Sequence, residues 1–309
     1  MPAAQAIEHL VGMQAQAPDA PYVGLWTRLA GFRASELTRL VHSRAAVRTT
    51  LMRVTIHLAT ARDCLALHPA LQPMIEHRLH TASPYGRQLT GIDVNELLEV
   101  GREVHREPRT RAELRARLAD RFPDRNPNDL AYAITYLLPL AHATPRGIWR
   151  RGGSVRLVDL TEWLGRPLAN PIALPVLVRR YLAAPRASPT CRAGRALPVS
   201  LPVVATMRSR LRSFRDERGR ELLDLPDVPR PDPATPAPPR FLPEYDNVLL
   251  AHADRSRILV GNQGPPAPPG NGGSRARNGM RNRSGLPLRL SGRRCHGRGP
   301  GAGLPVHSR

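Results

Sequence analysis

Gln14 and Gln16 stand one residue apart in VGMQAQAPDAPYVGLW, residues 11–26, shortly before Pro18. A glutamine amide is too weak a base to take a proton from water. Its carbonyl oxygen accepts hydrogen bonds and its NH2 donates two, so it can hold and orient a water molecule. Pro18 disfavours helix at Ala17 and pushes the preceding chain toward extended backbone. In an extended segment residues i and i+2 share a face, so both amides would reach one water. Two solvated loop glutamines are the other reading of the same residues.

Other chemistries are closed by composition. The chain has 309 residues with 46 Lys+Arg, all of them arginine, against 25 Asp+Glu, a formal net charge of +21. Without a lysine there is no side-chain Schiff base, no pyridoxal phosphate enzyme and no phosphate-loop NTPase. The histidines form no HExxH, and His77 and His80 at i,i+3 lack further ligands nearby. Cys64, Cys191 and Cys295 are isolated, with no CxxC spacing. We therefore expect no metal, no cofactor and no disulfide framework, and a reducing cytoplasmic setting. MPAAQAIEHL does not read as a signal peptide. The apolar run LAYAITYLLPLAHA is too short to span a bilayer and is broken by Pro139, so no membrane partner is expected. Guanidinium groups match phosphate geometry, which makes a polyanion, above all nucleic acid, the leading partner. A GC-rich coding bias with a merely solvated basic surface is the alternative.

The elements that must position these residues are mainly helical, with small β wings, an α+β fold. Residues 1–105 read as a helical or winged-helix region around the two glutamines. PAAQAIEHLVGM and ASELTRLVHSR have apolar residues at helical spacing, RTTLMRVTIHLA reads as extended, and TARDCLALHPAL opens a helix with a Thr60–Asp63 capping box. Residues 106–168 read as a winged-helix unit. A helix capped by Thr110 and Glu113 precedes a second capped at Asn126 or Asn128, followed by a hairpin turning at Gly152–Gly153. The second helix is apolar, with no arginine between Arg125 and Arg146, so it suits packing and not base reading. The wing differs: Trp149, Arg150, Arg151 and Arg156 suit phosphate or minor-groove contact, or else a solvated tip. Residues 169–225 read as a second such unit, disrupted at 184–206, with a hairpin turning at Arg218–Gly219–Arg220. Residues 226–260 begin a C-terminal domain. Residues 261–309, with nine arginines and no acid, read as a disordered Pro/Gly/Arg-rich tail.

Taken together, LVGMQAQAPDAPYVGLWTRLAGF, LMRVTIHLATARD, LPLAHATPRGIWRRGG and PAPPRFLPEYDNVLLAHADRSR resemble the bacterial winged-helix DNA glycosylases of the AlkZ type. The resemblance covers roughly 1–183 and 206–260. It implies tandem winged helices followed by a β-rich domain, and Gln–apolar–Gln as the catalytic motif, here Gln14–Ala15–Gln16. It implies excision of alkylated bases, notably N7-alkylguanine, from double-stranded DNA, by a monofunctional enzyme since lysine is absent. A monomer associated with the cytoplasmic nucleoid is expected. Arg53, Thr55 and His57 match the family's R-G-T-L-H block, with Val54 in place of the usual glycine, and strand alternation would put all three on one face. His57 would contact phosphate or substrate, or be a core histidine. Asp246 and Asn247 match its DN block, or are only turn formers. The departures at the start, at 184–206 and after about Val260 read as a truncated and frameshifted member. A non-catalytic winged-helix DNA-binding protein and an inactive truncated product stay open as alternatives.

Overall fold

A computed structural model describes residues 1–184, 201–215, 219, 221–230, 232, 234–236, 240–250 and 296–297. The chain begins with α1 (Ala3–His9), a short strand β1 (Met13–Gln14), α2 (Ala20–Trp26) and α3 (Ala34–His42). A hairpin follows, β2 (Ala46–Thr50) and β3 (Ile56–Thr60), and leads directly into the long α4 (Ala61–Ala82). Then come α5 (Val94–Val104), β4 (Arg109–Thr110), α6 (Arg111–Arg121), α7 (Pro127–Leu137), β5 (Leu140–His142), β6 (Arg156–Asp159) and α8 (Leu160–Leu164). After α9 (Leu174–Ala183) the described chain resumes with α10 (Leu201–Met207), the hairpin β7 (Arg212–Arg215) and β8 (Glu221–Asp224), and α11 (Asn247–Leu250). His296–Gly297 forms β9, beside β7. The tail expected at 261–309 otherwise lies outside the described residues, as does 185–200 of the disrupted patch.

Local signals explain several boundaries. Thr110 accepts from the Glu113 N–H while Glu113 returns to the Thr110 N–H at 2.7 Å, closing the expected capping box. Asn126 caps α7 through the Asn128 N–H at 2.9 Å. At α4 only half of the expected box forms. Thr60 caps the Asp63 N–H, but the Asp63 carboxylate turns away to Arg180, at 2.6 and 3.0 Å. Residues 201–207, all but the last inside the 184–206 patch that lacks amphipathic pattern, are helical. Val203 and Met207 face the main core, which supplies the support that local sequence does not.

Strands β1 to β6 make one six-stranded antiparallel sheet, ordered β1-β3-β2-β5-β6-β4, which runs across the 105/106 boundary expected from the sequence, while β8, β7 and β9 form a separate three-stranded sheet. The join is the β2–β5 pair, where Thr49 faces Ala141 and its hydroxyl donates to the Leu140 carbonyl at 2.8 Å. Alternation divides the sheet's side chains. Val47, Ala59, Ala141 and Val158 bury one face against α4 and α9. On the opposite face, Met13, Ala46 and Leu58 pack under α1, α2 and α3. Leu140 and Leu157 on that same face pack under α5, α6 and α7. Each fully buried Leu contributes about 1.5–3 kcal/mol, so these three clusters dominate stability. The apolar residues of α7, Leu130, Ala131, Ala133 and Ile134, are buried, as expected for a packing helix.

Two expectations need correction. The stretch RTTLMRVTIHLA is not one strand, because it reverses through a single helical turn at Met52–Val54. Arg53 and Thr55 therefore lie off the strand, and only His57 is a strand residue, so the three do not share a strand face. The 140–159 hairpin also has no tight Gly152–Gly153 turn: β5 and β6 are separated by an irregular loop, residues 143–155. Among the described residues no helix is long and apolar enough to cross a membrane.

Candidate active site

The chain leaves α1 through Val11 (φ 53°) and Gly12 (φ 86°) and enters β1 at the sheet edge. Gly12 is required there: a Cβ would stand 3.3 Å from the Leu58 carbonyl oxygen. β1 pairs Met13 with Leu58 and Gln14 with His57, and the Ala15 N–H continues the ladder to the Ile56 carbonyl at 2.8 Å. Gln14 is thereby buried, while Gln16 is exposed where the chain bends away. On its far side, Ala15 offers its carbonyl to Arg48 Nη2 at 2.9 Å.

The two glutamines make different contacts. Gln14 Oε1 accepts from Arg53 Nη2 at 2.9 Å and lies 3.3 Å from the Thr55 hydroxyl, which also reaches the Met52 carbonyl at 3.1 Å. Gln16 Oε1 accepts the Ile56 N–H at 3.3 Å. Both amides thus contact the chain where it enters β3, Gln14 at Thr55 and Gln16 at Ile56. The Gln14 carbonyl is held by Arg53, with the single Thr55 hydroxyl proton shared between it and the Met52 carbonyl, which leaves the Gln14 NH2 for other partners. Arg53 reaches Gln14 because its backbone is left-handed (φ 59°) in the tight turn, and Val54 beside it is left-handed too (φ 57°). Glycine is the residue suited to that conformation, and the chain has valine there instead.

The sequence reading undervalued the far end of the chain. Arg53 Nη2 also donates to Asn247 Oδ1 at 2.7 Å. The neighbouring Asp246 carboxylate, 4% exposed, accepts Arg28 through both oxygens at 2.8 and 3.0 Å and caps α11 through the Val248 N–H at 2.9 Å. Arg240 donates to the Thr27 carbonyl at 2.9 Å. Residues 240–248 are thus fastened over the start of the chain. Asp246 and Asn247 form a turn, and they also help to build the site. Arg28 was legible only as one of many arginines. Gly12, Met13, Gln14, Arg28, Asp246 and Asn247 line a cavity of about 20 Å³, room for a single water.

The remaining candidates lie elsewhere. His57 is buried, with Nδ1 at 2.9 Å from the Thr55 carbonyl, so it supports the strand beneath Gln14. Trp149 does not stand out from the loop. Its ring packs on Tyr22 with centroids 5.1 Å apart. Arg150 and Arg151 are exposed, Arg150 with its N–H on Asp19 Oδ1 at 3.3 Å. Arg156 is also exposed but donates to the Pro108 carbonyl at 3.2 Å and pairs with Glu113 at 3.8 Å. Cys64 is fully buried, and burial pushes its thiol pKa far up, so it is a core residue without nucleophilic use. Among the described residues no group of three acidic, histidine or cysteine side chains is placed to hold a metal.

Residues 7–288 match the family described as "DNA glycosylase AlkZ-like". That match extends past Val260, where the resemblance read from the sequence ends. No curated protein sequence matches the chain. Among solved structures, the Streptomyces sahachiroi DNA glycosylase AlkZ superposes with a TM-score of 0.57 at 19% identity, over 74% of this chain and 65% of that one. The similarity spans just under two thirds of that protein's length, and at this identity it bears on the fold.

Proposed function

This chain belongs to the DNA glycosylase AlkZ-like family, and from that premise we propose that it excises alkylated bases of the N7-alkylguanine type from duplex DNA. The reaction is hydrolysis of the N-glycosidic bond. Water attacks C1′, the C1′–N9 bond breaks, the base departs with the bonding electrons, and the surplus proton of the attacking water passes to solvent. An N7-alkylated guanine is already cationic and leaves as a neutral base, so no strong general acid is needed. An undamaged base lacks that driving force, and two glutamines would not remove it. With no lysine the enzyme is monofunctional, and its product is an unbroken strand with an abasic site.

The observation that carries this reading is the pinning of Gln14 by Arg53 and Thr55 beside a cavity with room for one water. Because the Gln14 carbonyl is occupied, its NH2 is the group that meets a water or sugar oxygen. Gln16 lies outside that cavity, at an exposed position, and its Oε1 has a second lone pair beyond the one that takes the Ile56 N–H. This lone pair accepts from the attacking water and orients it toward C1′. We further read the run from α5 to β6 as a winged helix, and α9, α10, β7 and β8 as part of a second. Arg150 and Arg151 in the exposed loop then reach backbone phosphates.

Excision is tested by incubating the full chain with duplex DNA containing 7-methylguanine and scoring abasic sites. The expected result is excision that disappears in Gln14→Ala plus Gln16→Ala, with DNA binding and melting temperature kept. Absence of excision by the unaltered protein, or equal excision by the double variant, overturns the catalytic reading in favour of DNA binding alone.

A further inference from the structure

Shielded arginines in this protein generally have acidic partners: Arg180 pairs with Asp63 at 2.6 Å and Arg28 with Asp246 at 2.8 Å. Arg48, Arg111 and Arg146 depart from that rule. Among the described residues none of the three forms an ion pair. They gather on one seam of the sheet, between the cluster under α1–α3 and the cluster under α5–α7.

The sheet register locates the seam. Arg48 faces Leu58 on β3, and Thr49 faces Ala141 on β5. One step along the same antiparallel register sets Arg48 opposite His142, which in turn pairs with Leu157 on β6. The 143–155 loop closes over this row. Arg48 Nη1 donates to the Arg146 carbonyl at 3.5 Å, and a Cβ on Gly147 would come within 2.8 Å of Arg48 Cδ. Arg111, the first residue of α6, lies over the Tyr132 ring at 3.9 Å. Arg48 is 3% exposed. Arg48 Nε, Arg111 Nε and His142 Nδ1 are buried nitrogens with no hydrogen-bond partner. The acid that acts on Arg48 through space is Asp19, whose Oδ1 accepts the Arg150 N–H.

Arg48 Nη1 and Nη2 donate to the Arg146 and Ala15 carbonyls, and Arg146 Nη1 donates to the Gly153 carbonyl at 3.2 Å, but Arg48 Nε, Arg111 Nε and His142 Nδ1 keep no partner. Gathering one buried and two part-buried guanidinium groups with no adjacent anion is unfavourable unless one joins them. We propose that this seam is an oxyanion site for a phosphate group, filled in the DNA complex by a backbone phosphodiester. Arg48 and Arg111 offer Nε–H donors, Arg146 its guanidinium, and His142 an Nδ1–H. Phosphate suits the place because its several acceptor oxygens match planar guanidinium forks. Burial and the three arginines hold His142 down to about 3, so at neutral pH it supplies a hydrogen bond and no charge. The identity of the phosphate as DNA rests on the function proposed above, whereas the site itself does not.

The full chain is melted in phosphate and in chloride at matched ionic strength. Phosphate should stabilise the unaltered protein and the exposed-charge control Arg166→Gln, and move the His142 ring resonances. Arg111→Gln and Arg146→Gln, both at part-exposed positions, should lose the effect. Stabilisation that is equal in all four proteins, or absent from the unaltered one, overturns the site. In the DNA arm, Arg146→Gln should lower the slope of log affinity against log salt by about 0.9 relative to Arg166→Gln, the signature of one lost phosphate contact. Equal slopes overturn the DNA source and reassign the site to free phosphate. Excision is scored separately, so phosphate stabilisation without excision sinks the glycosylase reading and leaves this site standing.

Discussion

A guanidinium carries five N–H donors and no acceptor, so the atom of Gln14 that meets Arg53 can only be its carbonyl oxygen. Arg53 therefore fixes which end of the amide faces the cavity. Replacing it by Met should leave Gln14 free to rotate and lower kcat by about 100-fold with a much smaller change in KM, since orientation and not binding is lost. Single-turnover excision of 7-methylguanine checks this, and a change confined to KM would contradict it. The two glutamines and their i,i+2 spacing were legible in the sequence. The carbonyl contact with Arg53 was not, because it depends on a backbone conformation that neither Arg nor Val favours. A second prediction concerns His68, buried on α4. Burial, opposed by the Asp159 carboxylate, pushes it down to about 4 from 6.5. The unfolded chain then binds the proton first on acidification, so this stability is full above pH 6.5 and is lost as pH falls toward 4. At pH 5 the loss is roughly 2 kcal/mol. Melting curves of the unaltered protein and His68→Gln should show the variant with the flatter pH dependence; parallel curves would refute it.

The helix starts at Thr110 and Asn126 were legible because capping is local chemistry, written within three or four residues. The break between β2 and β3 was not, since LMRV contains no turn-forming residue. The turn is held by the strands that pair on either side of it, Ala46 with Thr60 through Thr50 with Ile56. Its left-handed Val54 carries a test free of packing effects. Alanine and glycine both remove the valine side chain, so they differ in backbone preference. At this φ, Val54→Gly should be more stable than Val54→Ala by about 1 kcal/mol, the reverse of the usual order. Denaturant titration of the two variants decides it. Likewise α10 was hidden because its partners on the main core come from far along the chain.

At the scale of the molecule, the sheet is shared by two stretches that read from sequence as separate units. Long-range ties of this kind, such as Arg28 to Asp246 or Arg180 to Asp63, leave no local pattern in a chain with 46 basic residues, all arginine. The second tie joins α4 to α9 and also reaches the Glu8 carbonyl at the end of α1, at 3.0 Å. Removing Arg180 would strand the Asp63 carboxylate, 5% exposed. Arg180→Met should cost about 3 kcal/mol, and adding Asp63→Leu should restore part of it, because an unpaired buried charge is worse than no charge. Additive losses in chemical denaturation would count against this account.

The bridge from Gln14 through Arg53 to Asn247 also orders events in time. Gln14 and Arg53 are 39 residues apart and can meet early in synthesis, whereas Arg53 and Asn247 are 194 apart. Each doubling of loop length adds about 0.6 kcal/mol of closure entropy, so the second contact is the slower to form. A chain still emerging from the ribosome has its glutamines, its hairpin and most of its core before residue 247 exists. The cavity walled by Asp246 and Asn247 is among the last features to close and among the first to open on unfolding, so hydrogen exchange at Val248 should outpace exchange at Leu58.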